Sequence, residues 1–433
     1  MTDNHSRSWA PRFFTIWTGQ ALSLLGSSVA QFAVVWWLTD TTGSAVVLAT
    51  ASLVAMVPQV VLGPFIGALV DRLDRRKVMI VADSAVALLG LMLAVLFWVG
   101  RAQVWHLYVI MALRSLGGAF HWPAMQASTT QLVPSEQLPR ISGLNQALQG
   151  ASQIMAPPLG ALLLALLPLH GMMGLDVVTA IMAVLPLLFV PIPQPHGEGA
   201  DAPTGASSVW HTLWADTREG LGYIWNWRAL RYLVGTAAIL NLLYAPAFTL
   251  MPLLVTRYFE RGALELGYLQ AAWGGGIVVG GLLLLALGDG KHGMRTAVYA
   301  LVCQGMMLFL LPSSPRSAMW PGVVGLFIAA VMNAIVNGLL MSFMQRQVAP
   351  SKQGRVFTAL SSFCGAMMPL GMALAGPVAE LLGIRVWFFA ASIMTVVLGL
   401  WAIGSSMLKE LEQSERKQLK SRDDRALVAA NAE

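Results

Sequence analysis

The feature that most constrains this chain is a succession of long apolar runs, each about as long as a helix must be to cross a lipid bilayer. A helix rises 1.5 Å per residue, so about 20 apolar residues span the roughly 30 Å hydrocarbon core. Twelve such runs, at 12–38, 45–70, 78–99, 104–131, 140–167, 171–191, 229–256, 264–287, 296–312, 319–345, 355–382 and 385–408, are separated by polar breaks. They require about 240 apolar positions, and 56% of the 433 residues are hydrophobic while 11% are charged. Soluble domains carry about 25% charged residues, so little is left over for one. The expected fold class is all-α integral membrane, with twelve transmembrane helices.

The longest break, 192–228, divides the runs six and six. It opens on Pro191-Ile-Pro193-Gln-Pro195 and a stretch of Gly, Ala, Ser and Pro, which reads as a linker. Further on, Trp210, Leu213, Trp214, Leu221, Ile224 and Trp225 recur at helical spacing with Asp216, Arg218 and Glu219 between them. That pattern predicts an amphipathic helix, lying in the headgroup layer or packed against the ends of the spans. The expected organisation is a six-helix bundle over 1–191, a cytoplasmic linker with an interfacial helix over 192–228, a second six-helix bundle over 229–408 and a charged cytoplasmic tail over 409–433.

Orientation follows from Lys and Arg, which favour the cytoplasmic side of a membrane. With the N-terminus inside, 21 of the 27 basic residues fall in inner segments, five in outer ones, and one, Arg114, within a run. Both termini are therefore expected in the cytoplasm, in a multi-pass protein of a bacterial inner membrane. The net charge of +6 is of the kind that membrane flanks select and gives no reason to expect nucleic acid. Cys303 and Cys364 sit in different apolar runs, which excludes a disulfide framework. Residues 1–12 lead directly into a full-length run, so no cleaved signal is expected.

The halves carry a faint repeat. Gln131-Leu-Val-Pro134-Ser135-Glu-Gln137 follows the fourth run, and Gln347-Val-Ala-Pro350-Ser351-Lys-Gln353 follows the tenth, with four of seven residues identical. Internal duplication of this kind builds many secondary transporters, with the site between the halves near the midplane.

Between the second and third runs lies Gly67-Ala-Leu69-Val-Asp71-Arg72-Leu73-Asp74-Arg75-Arg76-Lys77. A short loop with two acids and four bases suits a junction that locks and releases, since a carboxylate near a helix N-terminus gains about 0.3–2 kcal/mol. This loop resembles the signature Gly-x-Leu-x-Asp-Arg-x-Gly-Arg-Arg/Lys of the major facilitator superfamily, departing from it at Asp74. The resemblance implies two pseudo-symmetric six-helix bundles and a latch, made of Gly67, Asp71, Arg72 and Arg75, that holds the cytoplasmic side shut. The second-half counterpart, Gly288-Asp289-Gly290-Lys291-His292-Gly293, is degenerate. Arg114-Ser-Leu-Gly117-Gly118 is similar to the Arg-x-x-x-Gly motif of span four. Ala156-Pro157-Pro158-Leu-Gly160 partly matches the antiporter motif of span five. With Phe14-Thr-Ile-Trp17-Thr-Gly19-Gln20, Leu38-Thr-Asp40-Thr-Thr-Gly43-Ser44 and Phe120-His121-Trp-Pro123-Ala124, the chain resembles the drug:proton antiporter branch that holds macrolide-efflux proteins and siderophore exporters.

Polar stripes on apolar helices mark where a substrate would be met, because an unpaired polar group in lipid costs several kcal/mol. Gln20, Ser23, Ser27 and Gln31 form one stripe on the first run, and Ser142, Asn145, Gln149 and Ser152 another on the fifth. Asn333 and Asn337 lie one turn apart on the tenth, as do Asn241 and Tyr244 on the seventh, followed by Phe248. In the family, spans one, four, seven and ten line the cavity. The implied substrate wall is Gln20, Ser27, Gln31, Arg114, Tyr244, Phe248, Asn333 and Asn337, softened by Met251 and Met344. The same amides and hydroxyls also serve as glue between helices. Proton coupling needs a group that titrates within the membrane, and Arg114, His121 and Asp176 are the candidates. Asp83 lies near the latch and Glu380 near an outer end.

The expected function is secondary active efflux of amphipathic, macrolide-like drugs by proton-coupled alternating access. The expected partners are a small-molecule substrate, protons and membrane lipids. Export of a siderophore or lipid-like metabolite, and a non-transporting membrane sensor, are the alternatives. No HExxH, paired catalytic carboxylates, Gly-x-Ser-x-Gly or nucleotide-binding loop occurs, so no enzyme, ATP-driven pump, metal or cofactor is expected.

Overall fold

The structure, a computed structural model, describes residues 9–70, 73–192, 218, 222–287, 293–348, 350–405, 409, 410 and 413. Among these residues there is no strand, and twelve helices longer than fifteen residues follow one another. They are α1 (Trp9–Thr42), α2 (Ala45–Val70), α3 (Arg75–Trp98), α4 (Val104–Leu132), α5 (Leu138–Leu166) and α6 (Leu169–Phe189), then α7 (Arg228–Thr249), α8 (Ala263–Leu287), α9 (Gly293–Leu308), α10 (Trp320–Gln347), α11 (Pro350–Leu382) and α12 (Arg385–Gly404). In hydrocarbon the backbone must satisfy its own hydrogen bonds, which a helix does within one segment. α7 runs on through Met251–Leu253 into a π turn at Leu254–Tyr258, and α9 into a short turn at Leu310–Ser313.

Ten of the helices are long and apolar enough to cross a membrane. The two that fall short by composition are α4 and α5, the helices holding Arg114 and His121 and the Ser142–Ser152 stripe. Many large apolar side chains point outward: Leu285 and Leu381 are each 83% exposed and Phe189 80%. Exposed apolar surface on that scale is unsustainable in water and suits a lipid solvent.

The chain divides into two compact units. One holds α1–α6, with the segments Val255–Arg257 and Arg261–Ala271 clustered with it; the other holds α7, the rest of α8, and α9–α12. In the first unit α3 packs on α4 and α6, α1 on α5 and α6, and α2 on α4. In the second, α9 packs on α10 and α12, and α7 on α11 and α12. α8 meets α10 so closely that a Cβ at Gly276 or Gly280 would lie 2.4 Å from the carbonyl oxygens of Phe327 and Val331. These five pairings of the first unit thus recur six helices later. The sequence repeat falls at matching places, between α4 and α5 and between α10 and α11.

The amphipathic segment expected from Trp210 to Trp225 lies mostly outside the described residues. Residues 222–226 are helical. Ile224 is buried in a core with Ala229, Leu230, Met294 and Phe343, while Trp225 is exposed. This end of the segment therefore packs inward by one face.

The α8–α10 contact gives a stability test. Gly280→Val drives a branched side chain into the Val331 backbone, and overpacking of this kind costs about 1–3 kcal/mol. The detergent-solubilised variant is expected to melt at a lower temperature than wild type. An unchanged midpoint would show that α8 and α10 do not meet there.

Candidate functional site

Four helices of the first unit bring polar side chains together at two levels. At the first level, Arg114 Nη1 on α4 donates to Asp176 Oδ2 on α6 at 2.6 Å. Ser27 Oγ on α1 donates to Asp176 Oδ1 at 2.7 Å, and Arg114 Nη2 donates to Ser27 Oγ at 3.2 Å. Both carboxylate oxygens are engaged, and the Asp176 side chain is 2% exposed. α3 makes room for the pair with Gly90, where a Cβ would lie 3.3 Å from Asp176 Oδ2 and 3.5 Å from Arg114 Nη1. A small cleft opens beside it, lined by Arg114, Gln31, Val34, Ile110 and Met173.

The second level lies seven residues along α1 and α4, which is about 10 Å on a helix, toward the start of α3. Gln20 Nε2 donates to Asp83 Oδ2 at 2.8 Å. His121 Nε2 sits 3.3 Å from Asp83 Oδ1, close enough for charge pairing yet outside hydrogen-bond geometry, and that nitrogen is buried. α1 therefore holds one acid with Gln20 and the other with Ser27, while α4 offers each a base.

The remaining expected wall residues divide by environment. Gln31 is exposed, whereas the polar atoms of Gln20 and Ser27 are engaged by the two carboxylates. In the second unit Asn337 Nδ2 donates to the Asn333 carbonyl at 2.9 Å and to Asn333 Oδ1 at 3.1 Å, and Asn337 is exposed. The Tyr244 hydroxyl lies 2.9 Å from Thr395 Oγ1 and accepts from Gln304 Nε2 at 2.9 Å, so its polar end faces α9 and α12. Its ring meets Phe248 edge-on at 6.2 Å, and Phe248 meets Trp273 at 4.6 Å. Met251 and Met344 are buried at 1% and 2%; Met344 belongs to the core around Phe343.

The sequence from residue 16 to 369 matches the model of the Major Facilitator Superfamily. The chain belongs to that superfamily. Macrolide efflux protein A of Streptococcus pyogenes is 31% identical over 410 residues, covering 95% of this chain and 99% of the relative. Multidrug efflux pump Tap of Mycobacterium tuberculosis is 29% identical over 411 residues, covering 92% and 94%. Among solved structures, a bacterial homologue of the iron transporter ferroportin in its inward-facing state has a TM-score of 0.66 at 15% identity, covering 91% of this chain and 99% of that one. The nucleoside transporter NupG has a TM-score of 0.64 at 12% identity, covering 91% and 98%. These likenesses show the fold. As a member of the Major Facilitator Superfamily, the chain is a multi-pass membrane transporter and not an enzyme.

Of the superfamily's loop signature, Asp71 and Arg72 lie outside the described residues, and Gly67 falls within α2. Asp74, where the signature has Gly, is the N-cap of α3: its Oδ1 accepts from the Lys77 N–H at 3.2 Å. A cap of this type stabilises a helix by about 1 kcal/mol, which gives the departure a local reason. Arg75 Nη1 donates to the Ala127 carbonyl on α4 at 3.2 Å. Arg76 donates at 2.6 Å to each of the Leu187 and Leu188 carbonyls, in the last turn of α6. Cations belong at such carbonyl ends, and here they tie the start of α3 to its neighbours.

The sequence patterns place Asp83 near the latch and do not single out Trp273 or Gln304; the structure sets Asp83 against His121, Trp273 against Phe248 and Gln304 against Tyr244.

The Arg114–Asp176 pair yields a thermodynamic prediction. Removing one partner of a buried ion pair leaves an uncompensated charge, at about 3–5 kcal/mol, while replacing both by apolar residues is often neutral. Asp176→Leu alone is expected to lower the melting temperature sharply, and Arg114→Met with Asp176→Leu to restore most of it. A double variant no more stable than the single one would refute the pairing.

Proposed function

We propose that this transporter exports amphipathic, macrolide-like drugs from the bacterial cytoplasm, driven by proton entry through alternating access. The observation that carries this reading is the similarity to macrolide efflux protein A over 95% of this chain and 99% of the relative. The similarity to a multidrug efflux pump of another genus supports the same class. The site fits it physically. A charge at mid-membrane costs about 2.5–3.5 kcal/mol on insertion scales, so ionisable groups there are kept for work. The first unit holds four, Asp83, Arg114, His121 and Asp176.

In this reading α4 and α5 cross the membrane with the other ten helices, their polar faces turned inward. The twelve spans form two six-helix bundles, 1–191 and 229–408, joined by a cytoplasmic linker over 192–228, with the tail 409–433 and the N-terminus on the same side. The recurrence of helix pairings six positions apart supports the duplication. Gln31 and Asn337 meet the substrate through exposed amides and Phe248 through its ring, with half-buried Asn333 bonded to Asn337, and Gln20, Ser27 and Tyr244 shape the wall from behind. Gly67, Asp71, Arg72 and Arg75 form the cytoplasmic latch. Arg114, His121 and Asp176 are the candidates for proton coupling.

The test is expression in an efflux-deficient bacterium. Wild type is expected to raise the inhibitory concentration of erythromycin several-fold and to lower its accumulation, an effect abolished by an uncoupler. Protection against iron chelators in place of macrolides would move the substrate to the siderophore class. No change in the accumulation of any compound would overturn the reading. Arg114→Ala is expected to lose at least ten-fold in export, and Asp71→Asn to cripple transport while still inserting. Wild-type rates in either variant would remove that residue from its role.

A further inference from the structure

We propose that the proton driving the exporter is carried on the His121–Asp83 pair, with the Arg114–Asp176 pair remaining ionised throughout the cycle. The inference rests on the proton-driven reading above and deepens it by assigning the proton to one of the two levels. The two pairs differ in kind. Arginine stays charged at any physiological pH, and Asp176 has both oxygens engaged by charge-assisted or hydroxyl donors at 2.6 and 2.7 Å. That level is saturated. Histidine is the side chain that ordinarily changes charge between about pH 5 and 8.

The geometry at the second level is half-made. His121 Nε2 is buried and has no hydrogen-bond partner, yet Asp83 Oδ1 lies 3.3 Å away. A buried polar atom left unsatisfied in a native fold calls for an explanation, and a site that waits for a proton supplies one. When the imidazole gains a proton, a small movement turns the contact into an ion-paired hydrogen bond. When it loses the proton, Asp83 keeps the Gln20 donor at 2.8 Å. The pair is not sealed off, since 21% of the His121 side chain and 12% of the Asp83 side chain are exposed.

No other charge of the packed helices disturbs the pair directly. α2 contributes no charged residue among those described. α1 carries Arg12 and Asp40 near its two ends. α3 adds Arg75, Arg76 and Lys77 in its first turn, with Arg75 and Arg76 engaged by carbonyls of α4 and α6. α4 adds Arg114 two turns away and His106 near its start, and α6 adds Asp176 and His170. In the step itself, His121 takes one proton from external water while the site opens outward. It then releases that proton to cytoplasmic water once the site opens inward, so one positive charge enters per cycle.

The experiment uses the full chain in proteoliposomes with radiolabelled erythromycin. Wild type must first accumulate the drug uphill in exchange for protons moving down an imposed pH gradient, in an uncoupler-sensitive way; if it does not, the proton-driven reading itself fails and this proposal with it. His121→Asn and Asp83→Asn, the latter keeping an acceptor for Gln20, are then compared with wild type in two modes. Uphill accumulation is expected to fall at least ten-fold in both variants and to lose its dependence on pH between 5 and 8. Drug exchange at equal pH, which needs no net proton movement and reports a folded carrier, is expected to fall less than three-fold. Uphill transport with the wild-type pH profile in either variant overturns the proposal while leaving the proton-driven reading intact. Equal loss of both modes in both variants also overturns it, since the pair would then be structural.

Discussion

The fold of the first unit depends on keeping charge inside a bundle that faces hydrocarbon. An ionised carboxylate or guanidinium far from water survives only if its partners surround it. α1 meets this demand for both acids. Its Gln20 and Ser27, two turns apart on one face, each hold a carboxylate that comes from a different helix, and α4 sets a base against each. These polar side chains are thereby engaged by the scaffold. Further along the same face, Gln31 stays exposed beside the Arg114 cleft.

This demand also explains why α4 and α5 fall below the hydropathy expected of a span. A helix that supplies polar groups to the interior loses apolarity in proportion, so it scores worst where its chemistry is densest. Neighbours cover part of their polar faces: α1, α2 and α3 pack on α4, and α1 on α5, where Asn145 accepts from the Trp17 indole at 2.8 Å. Lipid then meets the apolar side of each helix, as the exposed Leu113 and Leu162 show.

Much of this was legible in the chain itself. The runs at 45–70, 104–131 and 264–287 reproduce α2, α4 and α8 to within a residue, because the length of an apolar run and the length of a buried helix are set by the same bilayer. The helical stripe on α1 was legible for a similar reason, since period 3.6 maps directly onto a face. Partners were not. Nothing local to Asp83 says that its carboxylate meets α4 in place of the latch loop, because that contact is fixed by how α3 crosses its neighbours. Met344 shows the converse: flexible and apolar, it suits a cavity wall and a core equally by composition, and only packing places it at 2% exposure. Asp74 was legible as a departure from the family signature, but its reason, a cap on α3, needed the backbone direction.

The two-level arrangement has an electrostatic consequence that single-site designs lack. Unit charges about 10 Å apart interact by about 1.7 kcal/mol at an effective dielectric constant near 20. Alone, Arg114 would repel another positive charge at the second level by roughly that amount. Paired with Asp176 at 2.6 Å it presents a dipole whose two ends nearly cancel at that distance. The saturated level therefore shields the second one from the Arg114 guanidinium. It also explains why the acid at each level comes from a different helix. Asp83 on α3 and Asp176 on α6 move with separate elements, and Gly90, two turns from Asp83 on α3, leaves space for the acid from α6 where α3 offers none.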